Sequence, residues 1–416
     1  MRQRWTVMVV AAVLVAGLAV VAGVAAGRCS AGGNPEAVAG AESGADTSSA
    51  RQLTARAESD AIAGPAAAGI PATPRWGLWS GIRGPDGTAL PEITGTAATG
   101  DRIVTVQLGA DERQLLAGYA AADGTPLWAA TLPRGRYSPE VLLTGDSVLV
   151  HGGGEVSAFD PASGELRWCT AVSGDARVSV LDTGRGALVA EQDADRSRLR
   201  LLDRATGEQH WSRDYRVHDG GVAPVVAGDV VTVFAVGEDR SGVQAFRLGT
   251  GEPGWSLTDD LPRPFGVAGG VLLVRSGTGL HGVEPGSGAL LWSSERFDPH
   301  LRPGVAVRSP GRPGDPALLL QPSEPGGVTA FDPATGALRW ELPGELVRPT
   351  LRDGVQRADT VGDRLLLQGR RTGLVAADPA TGRITGRAGD ASPMTHGPGL
   401  AVVTGPGRTT VLTWDD

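Results

Sequence analysis

Apolar residues are distributed in two ways along the chain. Thr6–Gly27 (TVMVVAAVLVAGLAVVAGVAAG) is an unbroken run of 22 uncharged positions. As a helix it would be about 33 Å long, enough to cross a hydrocarbon core of about 30 Å. From Arg113 onward the apolar residues come instead in short runs, some continuous and some alternating with polar ones, separated by turns rich in Gly, Pro and Asp. That is the pattern of β-strands, and no helical period of useful length interrupts it. Residues 28–72 lie between the two regimes and consist largely of Ala, Gly, Ser and Glu. Such a segment buries too little apolar surface to offset its ordering entropy, so it is expected to be a flexible linker, spanning about 37 Å as a random coil.

One unit recurs within the strand region: an apolar run, a turn that opens on an acidic residue and ends in Gly, and a Trp four residues later. The copies are AAADGTPLW (Gly124, Trp128), FDPASGELRW (Asp160, Gly164, Trp168) and LDRATGEQHW (Asp203, Gly207, Trp211). They continue with FRLGTGEPGW (Gly251, Trp255), VEPGSGALLW (Glu284, Gly288, Trp292) and FDPATGALRW (Asp332, Gly336, Trp340). A seventh, ADPATGRITG (Asp378, Gly382), has Gly386 in place of the Trp. The Trp-to-Trp spacings are 40, 43, 44, 37 and 48 residues. In Asp332-Pro333-Ala334-Thr335-Gly336 the Asp can start a type I turn, Pro presets φ, and Gly can take positive φ to enter the next strand. With two more strand candidates upstream of each hairpin, such as 138–145 and 147–151, each unit supplies four strands, the signature of a propeller blade.

The runs 158–168 and 330–340 closely resemble the tryptophan-docking repeat of pyrroloquinoline-quinone-like (PQQ-like) β-propellers. That superfamily contains quinoprotein alcohol dehydrogenases and the propeller lipoprotein of the outer-membrane β-barrel assembly machinery. The resemblance covers about residues 73–416 and is specific for fold, not for function. It implies that Trp128, Trp168, Trp211, Trp255, Trp292 and Trp340 lie on outermost strands and wedge against the neighbouring blade, and that the seam at Gly386 is looser. The fold expected is all-β: an eight-bladed propeller of four-stranded antiparallel blades, preferred over seven. Strands near 391–397, 399–404 and 409–414 would form the last blade, and Arg75–Ser80 would supply its outer strand.

Composition removes several chemistries. All 38 basic residues are Arg, and Asn34 is the sole asparagine. Without Lys there is no phosphate-loop lysine, Schiff base or Ser-x-x-Lys acylase. A net charge of -8 argues against a nucleic-acid partner. The quinoproteins hold a calcium–quinone pair with Glu, Asn and Asp ligands and typically use adjacent cysteines. Here Asn34 lies in the linker, and Cys29 and Cys169 are 140 residues apart. No catalytic, cofactor or metal residue carries over. The turn acids Asp160, Asp203, Glu284, Asp332 and Asp378 are expected to cap their own turns. Asp193 and Asp195 lack the spacing of a calcium loop. His151, His210, His218, His281, His300 and His396 show no ligand spacing, and surface or turn positions are expected for them. Cys169 is expected to be buried or free, with pairing to Cys29 left open. The loop arginines, such as Arg263 and Arg302, are read as part of a mixed, soluble surface.

These readings divide the chain into a cytoplasmic N-terminus (1–5), a membrane helix or cleaved signal (6–27), a linker (28–72) and the propeller (73–416). Arg2 and Arg4 precede the apolar run, which favours an inside N-terminus and an extracytoplasmic propeller. The composition, high in Ala, Gly, Arg, Pro and Val, resembles that of GC-rich, actinobacteria-like genomes. The function expected is a non-catalytic scaffold at the membrane with a protein partner in the envelope. The alternatives are a quinoprotein-type enzyme and a small-molecule or glycan sensor. No cofactor is expected, and a small ligand is left open.

Overall fold

The computed structural model describes residues 57–58, 73–79 and, apart from connecting stretches, 92–413. The expected membrane segment, 6–27, lies outside the described residues, as does most of the expected linker. Among the described residues no helix is long and apolar enough to cross a membrane.

Seven consecutive four-stranded antiparallel sheets form the blades, each a simple meander of strands adjacent in sequence. Blades 1 to 7 span residues 92–132, 140–171, 177–215, 225–257, 263–294, 306–342 and 357–388. The remaining sheet joins distant parts of the chain. Ser392–Gly397, Leu400–Gly405 and Arg408–Thr413 pair in sequence, Thr73–Trp79 adds beside Arg408–Thr413, and Ala57–Glu58 adds beside Thr73–Trp79. The expectation of eight four-stranded blades is therefore corrected: seven sheets have four strands, and the sheet that uses Thr73–Trp79 has five. The fifth comes from residues 57–58, inside the stretch expected to be linker. Its first strand lies against the first strands of blades 1 and 7.

The first strand of each blade is innermost and the fourth outermost, and the hydrophobic core lies between blades. Val104, Val106, Leu116 and Trp128 of blade 1 pack on Val148, Val150 and Phe159 of blade 2. Leu199 and Trp211 of blade 3 likewise meet Val231, Val233 and Phe246 of blade 4. Because the second strands are covered on both faces, they read as continuous apolar runs, as in Arg102–Leu108 (RIVTVQL). The outer strands are covered on one face and alternate, as in Leu338–Leu342 (LRWEL).

Candidate functional site

The repeated turn is held by the same hydrogen bonds in blade after blade. In blade 2 the Gly164 amide donates to the Asp160 carbonyl at 2.8 Å, while Asp160 Oδ1 accepts from the Ala162 and Ser163 amides at 2.7 and 2.9 Å. Asp203, Glu284, Asp332 and Asp378 hold their own turn amides in the same way. Blade 1 has Ala120 at the turn start, and blade 4 has Arg247; the Gly124 and Gly251 amides still donate to their carbonyls. The repeat glycines all have positive φ, +73° at Gly164 and +70° at Gly336.

Each docking Trp reaches from its outer strand to the turn of the next blade. The Trp128 indole N–H donates to the Pro161 carbonyl at 2.9 Å, Trp168 to Arg204 at 2.8 Å and Trp211 to Leu248 at 2.7 Å. Trp255, Trp292 and Trp340 donate to Pro285, Pro333 and Pro379 at 2.7, 2.9 and 2.9 Å. The ring lies on the turn glycine: a Cβ at Gly164 would stand 2.5 Å from the Trp128 ring, one at Gly207 2.7 Å from Trp168 and one at Gly251 2.7 Å from Trp211. Gly288, Gly336 and Gly382 sit against Trp255, Trp292 and Trp340 in the same manner. A small residue also faces the Trp from the adjacent strand of its own blade: Gly118, Ala158, Gly282 and Ala330 pair with Trp128, Trp168, Trp292 and Trp340. Side chains at Gly118 or Gly282 would run into the indole. Sequence reasoning missed these two glycines, although each lies ten residues before its Trp.

Gly386 pairs with Ala376 where the other blades have Trp, and the sheet that follows has no hairpin turn to receive one. Its third and outer strands, Arg408–Thr413 and Thr73–Trp79, come from opposite parts of the chain. In that outer strand the register shifts between Pro74 and Trp76, which pairs with Val411. The same shift precedes Trp168 and Trp340, so the backbone places Trp76 at the docking-Trp position.

The turns between first and second strands and those between third and fourth strands share one face of the propeller. On it a cavity of about 280 Å³ opens between blades 1 and 2, lined by Asp101, Arg102, Asp146, Asp160, Pro161 and Arg167, among others. Its charges are mutually satisfied. Arg167 bridges Asp160 at 2.5 Å and donates to the Asp146 carbonyl at 2.5 Å. Arg204 of blade 3 joins Asp146 at 3.0 Å and Asp182 at 2.9 Å. The Arg167 guanidinium, opposed by partial burial and helped by the turn amides, holds the Asp160 carboxyl down at about 2. Arg339 does the same in blade 6, where burial opposes it but the Asp332 carboxyl is still lowered.

The other candidates are not brought together. His151 lies on the second strand of blade 2 beside Glu140 at 3.2 Å, and His210 is exposed on an outer strand, 3.8 Å from Asp203. His281 is on a strand of blade 5 rather than in a turn, between Ser276 Oγ at 2.8 Å and Ser293 Oγ at 2.9 Å. Asp193 follows the strand Ala187–Gln192 of blade 3, and Arg263 sits 4.7 Å over the Phe234 ring. His218, His300, Asp195 and Arg302 lie outside the described residues. Among the described residues no group of three His, Cys, Asp or Glu could hold a metal ion. A buried polar pair went unforeseen: Gln107 donates to the Tyr119 hydroxyl at 2.7 Å, and burial pushes that phenol up to about 12. Cys169 is in a disulfide, which overturns the expectation that it is free.

Set against known proteins, residues 88–313 and 324–389 match the PQQ-repeat family model described as outer membrane protein assembly factor BamB. Among solved structures, Sqt1 from Saccharomyces cerevisiae is similar at 15% identity and TM-score 0.56, over 78% of this chain and 96% of that one. A europium-containing methanol dehydrogenase gives 11% and 0.50, over 82% and 84%. BamB from Moraxella catarrhalis gives 18% identity and TM-score 0.39, over 78% and 84%. These likenesses show the propeller fold alone. No curated protein sequence matches the chain.

Proposed function

Since the chain belongs to the PQQ-repeat family described as outer membrane protein assembly factor BamB, we propose that it is a non-catalytic protein-interaction scaffold of the cell envelope. The observation that carries this reading is the face of turns. Docked Trp residues hold its backbone rigidly from blade to blade, while the turn carboxylates and arginines stay partly exposed at its surface. A preformed polar surface suits a protein partner, because little of it must be ordered on binding. The cleft of about 280 Å³ between blades 1 and 2 is small for a drug-sized ligand but takes one or two side chains of a docked segment.

No residue of this chain is assigned to the quinone that the wider superfamily binds. In those enzymes acidic side chains help to hold the calcium–quinone pair, and among the described residues no three His, Cys, Asp or Glu side chains are grouped to hold a metal ion. Cys169 is already paired, so adjacent cysteines are not on offer. No chemical step is therefore assigned.

We further propose that Trp76 is the docking residue of the five-stranded sheet. The propeller would stand outside the cytoplasmic membrane on the apolar segment 6–27. The run of 22 uncharged residues supports an anchor, and a disulfide supports an oxidising compartment.

The test is affinity capture of the full-length protein from its host in mild detergent, compared with an Asp101→Arg, Ala162→Arg variant. Both positions are exposed at the mouth of the cleft. The expected result is a stoichiometric envelope protein retained by wild type and lost by the folded variant. A bound quinone without a protein partner would overturn the scaffold reading.

A further inference from the structure

Five of the seven four-stranded blades hold a carboxylate at the same place in the same turn. In blade 3 the Ala205 and Thr206 amides donate to Asp203 Oδ1 at 2.9 and 2.8 Å, and the Thr206 hydroxyl adds a bond at 3.1 Å. Blades 2, 5, 6 and 7 repeat the amide pair on Asp160, Glu284, Asp332 and Asp378. The Thr206 amide leads the contacts that hold the Asp203 carboxyl below its ordinary range, so this pair of amides favours an anion.

Blade 4 keeps the turn and lacks the carboxylate. Its turn opens on Arg247, and Gly251, with φ of +67°, donates to the Arg247 carbonyl at 2.7 Å as in the other blades. The amides that would receive a turn acid belong to Gly249 and Thr250, both exposed, and the Thr250 amide reaches only the Arg247 carbonyl at 3.3 Å. Thr250 matches Thr206 in the turn, so its hydroxyl is a further donor. In blades 2 and 6, Arg167 and Arg339 pair with the turn acid from seven residues further on; blade 4 has Gly254 there, which leaves the amides uncovered. Guanidinium groups gather around the turn instead. Arg185 of blade 3 places Nη1 2.9 Å from where a Cβ on Gly249 would stand, and Arg213 donates from Nε to the Gly251 carbonyl at 2.7 Å. With Arg247 these make three cations. The acids beside them are Asp229, which Arg185 engages at 2.6 Å, and Glu252. The local balance is positive in a chain of net charge -8.

We propose that the blade 4 turn is a carboxylate site: an acidic group from outside the chain takes the Gly249 and Thr250 amides, where the other turns hold their own acid, and Arg247 and Arg185 neutralise it. Backbone amides and guanidinium groups both make charge-assisted bonds to such an anion. Lack of a turn acid is not enough by itself. Blade 1 also lacks one, at Ala120, but Asp123 lies within its turn and accepts from the Thr125 amide at 2.9 Å, so it would repel a second carboxylate. The site does not depend on the scaffold reading; that its carboxylate is an Asp or Glu side chain of the protein partner rests on that reading.

The test titrates full-length protein in mild detergent with a blocked glycine–serine peptide carrying two glutamates, and with its glutamine counterpart, by calorimetry into the millimolar range. The glutamate peptide is expected to bind wild type and the glutamine peptide is not. Arg247→Asp should weaken binding roughly tenfold or more, because its own carboxylate takes the amides. That variant reproduces the turn opening of blades 2 and 3, so it should stay folded and raise the unfolding midpoint, whereas Arg247→Gln should not raise it. Unchanged binding to Arg247→Asp, equal binding of the glutamine peptide, or no binding to wild type would overturn the site. Acetate separates the sources: displacement of the peptide by acetate at equal concentration would overturn the partner side chain in favour of a small free carboxylate. Peptide binding without any envelope protein captured from the host would sink the scaffold reading and leave the site standing.

Discussion

Gly164 and Gly184 separate two costs that are usually confounded. Their φ angles are +73° and +75°, so an alanine at either pays the same left-handed backbone penalty, roughly 1–2 kcal/mol. Their surroundings differ. A Cβ at Gly184 meets nothing within 4 Å, whereas one at Gly164 would stand 2.5 Å from the Trp128 ring. Trp128 is 4% exposed and is held by its bond to Pro161, so it cannot move without opening the seam between blades 1 and 2. Overpacking at such a contact adds about 1–3 kcal/mol. Gly184→Ala is thus expected to cost roughly 1–2 kcal/mol, and Gly164→Ala about 2–5 kcal/mol in total. Urea unfolding followed by circular dichroism reads both as midpoint shifts at constant slope. A double-mutant cycle sharpens the test, because Trp128→Ala removes the obstacle while itself costing about 3–5 kcal/mol. In that background Gly164→Ala should fall back to the cost seen at Gly184, a coupling of about 1–3 kcal/mol. Equal costs for the two alanine variants, or a coupling near zero, would refute the idea that the indole docks on the glycine.

Three further outcomes are expected. Asp160 has a folded-state value near 2, below its ordinary 3.8; a lowered value means its stabilising contribution is complete above about pH 4 and is lost as pH falls toward 2. The shift corresponds to at most about 2.4 kcal/mol and, with the carboxylate partly exposed, to about 1 kcal/mol in practice; the stability gap between wild type and Asp160→Asn should therefore close between pH 4 and 2 in acid titrations at fixed urea. Trp76→Ala should lower the unfolding midpoint much as Trp128→Ala does, and Trp79→Ala should lower it less, because the strand register puts Trp76 at the docking position. Gly386→Trp should bring no gain in thermal stability, since the next sheet lacks the turn that would accept the indole.

The blades were legible because one hairpin recurs with fixed chemistry. Asp160-Pro161-Ala162-Ser163-Gly164 specifies its turn locally, and Trp168 marks the outer strand four residues later. The acceptor of each indole was not legible, because Pro161, Arg204 and Leu248 offer a backbone carbonyl, and a carbonyl leaves no trace in residue type. Gly118 and Gly282 carried a faint signal at a constant distance before the Trp, hidden because Ala does the same job in blades 2 and 6. The five-stranded sheet was half visible. Arg75–Ser80 looked like a strand, but Ala57–Glu58, without a large apolar side chain, did not. The Cys169 bond was unreadable, since one cysteine beside Trp168 on an outer strand carries no sign of a partner. The cleft between blades 1 and 2 draws Asp101, Asp146 and Asp160 from separate turns, and only the ring of blades assembles them.

The most direct test of the scaffold account is quantitative capture of the full-length protein from its own host in mild detergent, with mass spectrometry of the proteins and small molecules that come with it. The account predicts an envelope protein at near one-to-one stoichiometry that Asp101→Arg, Ala162→Arg releases while the propeller stays folded by circular dichroism. A quinone or metal ion retained at one-to-one stoichiometry, with no protein partner, would contradict it.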